Sequence, residues 1–257
     1  MKYSIFCLFV APSERPVNCP PSLYGHHLDF IQQGALCAVC EQISSVEDSP
    51  CKASLFSHYK VVDFFFQQTT VVPFRYGIAL DSKALVAKFL ENRADHYTKI
   101  LEELEDCAEM GIRAIIPSEG TSTMRQKVCK DTFDGHSLSG AQYLRKRQER
   151  YAAESCLSQQ TQEVVERIRR PFLGLFRQAR CEFSTIGHTG KIDRAAIASL
   201  YFLVPRDAIG EFRKTFERLS AKEPCKLLLS GAWPPYNFVS SPSTPLHSAS
   251  RVLAKLI

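Results

Sequence analysis

Residues 69–116 decide the fold of the N-terminal half, and they read TTVVPFRYGIALDSKALVAKFLENRADHYTKILEELEDCAEMGIRAII. The β-branched and apolar run at 69–76 predicts a core strand. Behind Asp81 and Ser82, either of which suits a helix N-cap, apolar residues recur at helical spacing, with charged residues on the opposite face. This pattern predicts one amphipathic helix that packs on a sheet, is ended by Gly111 and is followed by a closing strand at 112–116.

The residues before this stretch predict further strands and one more helix. Strands are expected where short apolar runs are bounded by turn residues, and the helix where the apolar pattern is mixed. The alternation of strands and helices predicts a ferredoxin-like α/β sandwich for residues 1–117. The additional elements are strands at 2–10, 28–31 and 35–43 and a helix at 54–66.

The second half predicts a separate domain, so that the fold class is α/β (α+β) with two domains. Residues 118–140 are rich in Ser, Thr, Gly and Asp, which indicates a linker. The C-terminal α+β domain, 141–239, is expected to begin with a long helical segment, 141–180, interrupted or bent at Pro171. A Ser- and Pro-rich tail with an apolar end follows at 240–257. Further predicted elements are strands at 183–186, 195–204 and 226–229 and a capped helix at 206–220.

Composition and charge are those of a globular protein. The chain has 257 residues, of which 45% are hydrophobic and 23% are charged. Residues 1–117 carry 10 Lys/Arg against 14 Asp/Glu, whereas the remainder carries 22 against 13. The acidic half argues against a chain that binds nucleic acid throughout, and the basic half is compatible with an acidic partner, whether protein, nucleic acid or membrane surface. The apolar start, 3–11, is interpreted as a first strand rather than a short signal peptide. No other stretch has the ~20 apolar residues that span a bilayer, so we expect a cytoplasmic protein with no membrane partner.

Ten cysteines are scattered along the chain, unlike the dense pattern of small disulfide-stapled domains. Cys37 and Cys40 form a lone C-x-x-C pair, and Cys51, His26 and His27 are the nearest further candidates for zinc ligands. Their spacing fits no standard zinc pattern. We interpret these thiols as reduced and buried, with a zinc or redox site as the alternative, and we predict no metal and no cofactor.

The sequence contains no nucleophile elbow, phosphate loop, dinucleotide fingerprint or His-Glu zinc helix. We therefore predict no catalytic residue and do not expect an enzyme. The segment 141–180 has nine basic residues against four acidic ones. This balance favours a solvated face or a surface for acidic protein segments. The alternative function is a basic regulator that binds nucleic acid through 141–180, although no nucleic-acid motif accompanies the charge.

The sequence Trp233-Pro234-Pro235-Tyr236 directly follows a predicted strand. Its two prolines fix φ and remove two backbone donors, so the chain must leave the sheet along an extended path. Trp233 and Tyr236 are predicted either to cover the core together with Phe238 or to form part of a groove for a partner, since Trp and Tyr often anchor interfaces.

Two further positions are candidates for partner contacts. Arg75 lies in an otherwise apolar predicted strand, so we expect an internal salt bridge, with a contact to another protein as the alternative. Tyr143 and Arg147 lie one helical turn apart, where the tyrosine can be buried and the arginine can present a surface cation. The candidate partner-binding residues are therefore Arg75, Tyr143, Arg147, Trp233, Pro234, Pro235 and Tyr236.

Three segments, in this order, carry a family resemblance. They are VVPFRYG at 71–77 with EMGIR at 109–113, GAQYLRKR at 140–147, and LSGAWPPYNFV at 229–239. Together they resemble the gas vesicle protein GvpL/GvpF family, whose C-terminal Gly-x-Trp-Pro-Pro-Tyr-x-Phe signature the last segment matches. The resemblance implies a two-domain α/β protein that is needed to build gas vesicles.

The resemblance also implies partners. The expected partner is the small hydrophobic shell protein of the gas vesicle, which a member would bind as a chaperone, a nucleator or a minor component. Other gas vesicle accessory proteins are implied as further partners. Catalysis and a bound cofactor are not implied.

Overall fold

A buried apolar run at the start of the chain forms the centre of the first sheet. Six consecutive residues, 4–9, are buried, as expected of a strand that is covered on both faces. The computed structural model describes residues 1–11, 22–45, 51–116, 161–186 and 195–239. Up to residue 106 its elements are β1 (Lys2–Val10), β2 (Ser22–Leu23), β3 (His26–His27), β4 (Asp29–Gln33), β5 (Leu36–Ile43), α1 (Lys52–Phe66), β6 (Val72–Pro73), β7 (Ala79–Leu80), α2 (Lys83–Asn92) and α3 (Ala94–Glu103).

The first sheet has the strand order β4-β5-β1-β6, and β7 also pairs with β1. β4 and β5 form an antiparallel hairpin whose turn holds Gly34 at φ +59°. β5 then pairs antiparallel with β1, and helices α1, α2 and α3 pack against the sheet. The strands predicted at 2–10, 28–31 and 35–43 and the helix predicted at 54–66 are confirmed, with ends shifted by at most two residues.

The strand predicted at 69–76 is shorter than expected, because only Val72–Pro73 pairs with β1. Pro73 has no N–H to donate to a sheet. The following Phe74 donates its N–H to the Phe6 carbonyl oxygen at 2.8 Å. The chain therefore bends after the short strand β6. It then returns to β1 and pairs with it again as strand β7.

The single amphipathic helix predicted behind Ser82 is wrong, although Ser82 does cap α2. The helix breaks at Arg93 (φ −127°, ψ 17°), whose N–H bonds to the Leu90 carbonyl oxygen three residues back. Such a bond tightens the last helical turn, and α3 starts anew beyond it. α3 ends at Glu103, so Gly111 does not end a helix but lies inside the strand that follows.

The second sheet has the order β11-β8-β10-β9. Its described elements run strand, helix, strand, strand, helix, strand, which is the ferredoxin-like order. For residues 1–117 the sequence predicts a sandwich of ferredoxin-like character in which three strands precede the first helix; five described strands precede α1 there. The elements are β8 (Cys107–Ile116), α4 (161–169), a 3-10 turn (Arg170–Phe172), β9 (Gln178–Ile186), β10 (Ala195–Pro205), a second 3-10 turn (Arg206–Ala208), α5 (Ile209–Ser220) and β11 (Lys226–Trp233).

Phenylalanines hold the helices to the second sheet. The ring centroids of Phe172 and Phe212 are 4.3 Å apart, Phe202 lies 5.3 Å from Phe212, and all three side chains are fully buried. Aromatic pairs of this kind add to the gain from burial. Of the helical segment predicted at 141–180 the structure describes 161–180, where the helix is interrupted at Pro171 as predicted, because proline cannot continue the helical hydrogen bonds. The prediction is wrong for the last residues, which form the start of β9. α5 has the expected buried face but no side-chain cap.

The described chain divides by its contacts into two compact units. The first unit comprises Met1–Met110, Leu203–Arg206 and the chain from Gly231 onward. The second unit comprises Gly111–Phe202 and Asp207–Ser230. Both units combine helices with sheet, so the predicted α+β class is confirmed.

The predicted domain boundaries stay predictions. The linker at 118–140 and the tail at 240–257 both lie outside the described residues. Among the helices that the structure describes, none is long and apolar enough to cross a bilayer.

Candidate protein-docking surface

The segment that follows β11 folds back into the first unit. Pro234 and Pro235 are buried, and two tight turns follow them. The N–H of Tyr236 bonds to the Pro234 carbonyl oxygen at 2.8 Å, and the N–H of Phe238 bonds to that of Pro235 at 3.1 Å. The chain thus leaves the sheet after Trp233, as the two prolines predict.

Asn237 fastens this segment to a buried carboxylate. Its backbone N–H donates to Oε2 of Glu109 at 2.8 Å, and its side-chain Nδ2 donates to Oε1 at 2.6 Å. Glu109 is only 5% exposed, and a buried carboxylate requires such partners. Neither Glu109 nor Asn237 is among the candidate residues predicted from the sequence. An acidic side chain inside the apolar run 107–116 does, however, indicate a buried carboxylate with a partner.

The aromatic side chains of this segment differ in exposure. Phe238 is buried and Tyr236 is half-buried, and burial raises the pKa of the Tyr236 phenol. The predicted core cover is therefore confirmed for these two. It is wrong for Trp233, which is 39% exposed. For Trp233 the alternative, a partner surface, stays a prediction.

Four exposed or half-buried aromatic side chains form a continuous surface on the first unit, which we call the aromatic strip: Tyr24, Phe56, Tyr59 and Trp233. Trp233 meets Tyr59 edge-to-face with 5.5 Å between ring centroids, and Tyr59 lies 6.4 Å from Phe56. Phe56 is 58% exposed and Tyr24 is 49% exposed. A contiguous exposed apolar patch of this composition is typical of a protein-binding surface.

Lys60 connects Tyr24 to the rest of the aromatic strip. Its Nζ lies 4.6 Å from the centroid of the Phe56 ring and 5.2 Å from that of Tyr24. Both distances suit cation–π attraction. Phe56 and Lys60 are four residues apart on α1 and therefore neighbours on one helix face. The ammonium group thus holds the two rings together.

The β2–β3 hairpin carries Tyr24 to α1, and His26 fixes it there. His26 Nδ1 lies 2.6 Å from Oε2 of Glu41, and its Nε2 lies 3.0 Å from Oγ of Ser57 on α1. The other oxygen of Glu41 accepts the backbone N–H of His27 at 3.2 Å. The position of Tyr24 in the strip is therefore set by a polar network beneath it.

Ser57, His26 and Glu41 have the connectivity of a Ser-His-acid triad. The Ser57 hydroxyl, however, donates to the Ser54 carbonyl oxygen at 3.0 Å, and this bond uses its one proton. His26 is then the donor in its contact with Ser57. Because a catalytic base has to accept the proton of its nucleophile, this network positions the hairpin and does not activate Ser57.

Arg75 does not form the internal salt bridge that the sequence predicts. Its side chain is exposed, and its Nη2 lies 3.5 Å from Oδ1 of Asn237, a long hydrogen bond. Among the described residues it has no carboxylate partner. Arg75 is therefore a surface cation beside the Trp-Pro-Pro-Tyr segment. Tyr143 and Arg147, the other candidates, lie outside the described residues.

The C-x-x-C pair is buried, as predicted. Cys37 is 6% exposed and Cys40 is fully buried, both in the interior strand β5. Burial raises the pKa of the Cys40 thiol, which opposes formation of the reactive thiolate. Within the described ranges no three Cys, His, Asp or Glu side chains come together as metal ligands.

Two arginines of the predicted basic segment are engaged inside the second unit. Arg167 grips Glu223 with two nitrogens, Nε at 3.0 Å from Oε2 and Nη2 at 2.6 Å from Oε1. The Glu223 side chain is only 3% exposed. Arg169 pairs with Glu166 at 3.3 Å. These two ion pairs leave fewer unpaired basic side chains that could bind phosphate. The basic residues at 145–150 lie outside the part of the chain that the structure describes.

Replacing Arg167 with Ala is expected to lower the free energy of unfolding by about 2 kcal/mol at pH 7, because it leaves the Glu223 carboxylate buried without its cation. Arg167 lowers the pKa of Glu223. The stabilisation is therefore fully present above the unfolded-state pKa of about 4.3 and is lost as the pH falls through the folded-state pKa. Urea titrations from pH 3 to 8 measure this difference. Lys214→Ala, which removes an exposed ion pair, serves as a control with little effect; an Arg167→Ala deficit that does not depend on pH contradicts the assignment.

Comparison with known proteins agrees with the sequence motifs. The family model described as gas vesicle synthesis protein GvpL/GvpF matches residues 3–240. A gas vesicle protein F from Streptomyces sp. (strain CB03234) is 28% identical over 213 residues, which cover 82% of this chain and 87% of that protein.

Solved structures show the same fold. The crystal structure of GvpF from Microcystis aeruginosa matches with a TM-score of 0.70 at 13% identity, over 93% of this chain and 99% of that one. GvpF from Anabaena sp. PCC7120 matches with a TM-score of 0.64 at 16% identity, over 93% and 98%.

Proposed function

This chain belongs to the GvpL/GvpF family of gas vesicle synthesis proteins, and on that premise we propose that it is a non-enzymatic accessory protein of gas vesicle assembly. In this proposal it acts in the cytoplasm and binds the small hydrophobic shell protein, as a chaperone, a nucleator or a minor component. Other accessory proteins of the gas vesicle are its further partners. No cofactor takes part.

The observation that carries the proposal is the aromatic strip. A subunit that assembles through apolar surface exposes that surface before assembly, and a soluble partner has to cover it. Trp233, Tyr59 and Phe56 offer rigid aromatic area, which loses little conformational entropy on binding. The strip lies beside the family's signature segment, which Glu109 and Asn237 hold in place.

The test is retention of the shell protein, encoded in the same gas vesicle gene cluster and co-expressed with the tagged full-length chain. Trp233→Ala is expected to reduce the retained shell protein at least tenfold, because truncation of an aromatic hot-spot residue typically costs about 2 kcal/mol or more. The matched control is Leu173→Ala, which truncates a 62% exposed side chain of the second unit and should retain the wild-type amount.

A thermal melt of each variant separates lost binding from lost folding. The proposed surface is wrong if folded Trp233→Ala retains as much shell protein as Leu173→Ala. If in addition the wild-type chain retains nucleic acid that is released by salt, the alternative function through 141–180 takes precedence.

A further inference from the structure

We infer that the aromatic strip takes a segment of the shell protein in which a carboxylate stands beside apolar side chains. This inference rests on the proposed function and deepens it, since it names the chemistry of the segment that is bound. The observation behind it concerns the charged groups around the strip: among the described residues Lys60 and Arg75 form no ion pair, whereas the described carboxylates accept hydrogen bonds from other residues.

The first cation is Lys60. Its ammonium group lies against the rings of Tyr24 and Phe56, and in the part of the chain that the structure describes it forms no ion pair. The rings hold the ammonium in one place but do not neutralise it. A carboxylate that approaches the strip therefore meets a positioned charge-assisted donor.

The second cation is Arg75, beside Tyr236 and Asn237 of the segment that follows Trp233. Its guanidinium contacts only the amide of Asn237, at 3.5 Å, and no carboxylate of the described residues lies within ion-pair distance. Arginine is the side chain best suited to bidentate recognition of a carboxylate. One cation thus lies on the strip itself, and a second lies on the segment that follows its tryptophan.

The carboxylates of the same region are already engaged. Glu41 holds His26, and Glu109 holds Asn237. Asp63 accepts a hydrogen bond from Gln67 at 3.1 Å, and burial, together with the charge of Asp63, raises the pKa of Tyr59 to about 12. These carboxylates point their oxygens at partners within the unit, whereas the ammonium of Lys60 is positioned to donate to an incoming carboxylate, which favours acidic over basic apolar segments.

The experiment uses the same co-expression assay with Lys60→Glu and, as the matched charge change, Lys88→Glu on an exposed position of α2. We expect Lys60→Glu to reduce retention of the shell protein by about tenfold or more, with Lys88→Glu near wild type and Lys60→Arg close to full retention. A panel of shell-protein variants, each with one Asp or Glu changed to Lys, is then tested against Lys60→Glu. One of them should restore retention.

The outcomes separate the inference from the proposed function. One outcome is that Trp233→Ala loses the shell protein while Lys60→Glu and Lys88→Glu retain it equally. In that case the strip binds the shell protein, but the inference that the bound segment is acidic is wrong. If no charge reversal restores binding to folded Lys60→Glu, the inference is also overturned. If Trp233→Ala retains the shell protein, the proposed surface itself fails.

Discussion

Replacing Gly231 with Ala is expected to lower the free energy of unfolding by roughly 3–5 kcal/mol. Gly231 adopts φ +109°, a backbone conformation that side chains with a Cβ atom rarely reach. An added Cβ would also lie 2.5 Å from the Glu109 carbonyl oxygen and 3.2 Å from the Met110 Cα. Neither backbone atom can move without displacing β8, so the substitution combines conformational strain with a steric clash.

Gly174→Ala is the matched control for this prediction. Gly174 has φ +86°, but nothing lies within 4 Å of the place that an added Cβ would occupy, so it carries the conformational cost without the clash. The Gly174→Ala variant should therefore have a free energy of unfolding only about 1 kcal/mol below that of the wild type. Urea unfolding followed by circular dichroism measures both variants. Equal losses for the two glycines would show that the close approach of Gly231 to β8 contributes nothing.

Replacing Glu109 with Gln is expected to lower the free energy of unfolding by about 2–3 kcal/mol. An amide has one acceptor oxygen, whereas Asn237 presents two donors, its backbone N–H and its Nδ2. One donor would then face the NH₂ group of the introduced glutamine without a partner in a buried position. Glu102→Gln on the exposed face of α3 is the control and should stay within about 0.5 kcal/mol of wild type.

A double-mutant cycle makes the Glu109 prediction specific. In an Asn237→Ala background only the backbone N–H remains, and the amide oxygen of the introduced glutamine can accept it. The cost of Glu109→Gln should therefore fall by about 1 kcal/mol or more in that background. Additive losses in the cycle would contradict the proposed pairing of Glu109 with Asn237. Since this pairing anchors the segment next to Trp233, we also expect the double variant to bind shell protein less tightly.

The sequence predicts best where local pattern and tertiary structure agree. The strand at 2–10, the hairpin around Gly34 and the helix at 54–66 all have apolar periodicity that their packing then satisfies. The pattern behind Ser82 misleads, because helical spacing continues past Arg93 while the backbone does not. The first residues of β8, from Cys107, also fit the apolar spacing of the helix before it. Periodicity alone therefore cannot place the boundary between that helix and β8.

The docking surface is less accessible to sequence analysis. The Trp-Pro-Pro-Tyr motif identifies Trp233, but Tyr24 and Phe56 lie about two hundred residues away in sequence, and only the folded first sheet brings the three together. Phe56 lies in a helix whose apolar residues would all be predicted to be buried in the core. Its exposure depends on how α1 rotates against β1, which a helical pattern with several aromatic positions does not determine.

The two prolines and the asparagine of the segment after β11 each have a part in placing Trp233. Pro234 and Pro235 direct the chain out of the sheet without unsatisfied donors, and Asn237 then fastens it to Glu109. Trp233 is left at the edge, half-exposed against Tyr59. Rigid placement of an exposed tryptophan is what an interface anchor requires.

The most direct test of the central claim is photo-crosslinking in cells that assemble gas vesicles. A photoreactive phenylalanine analogue is placed at position 56 or 233 in the aromatic strip, or at the exposed position 173 in the second unit. We expect irradiation to join the chain to the shell protein from positions 56 and 233 and not from 173. Crosslinks to the shell protein from 173 alone, in cells where all three variants still support vesicle formation, would contradict the account.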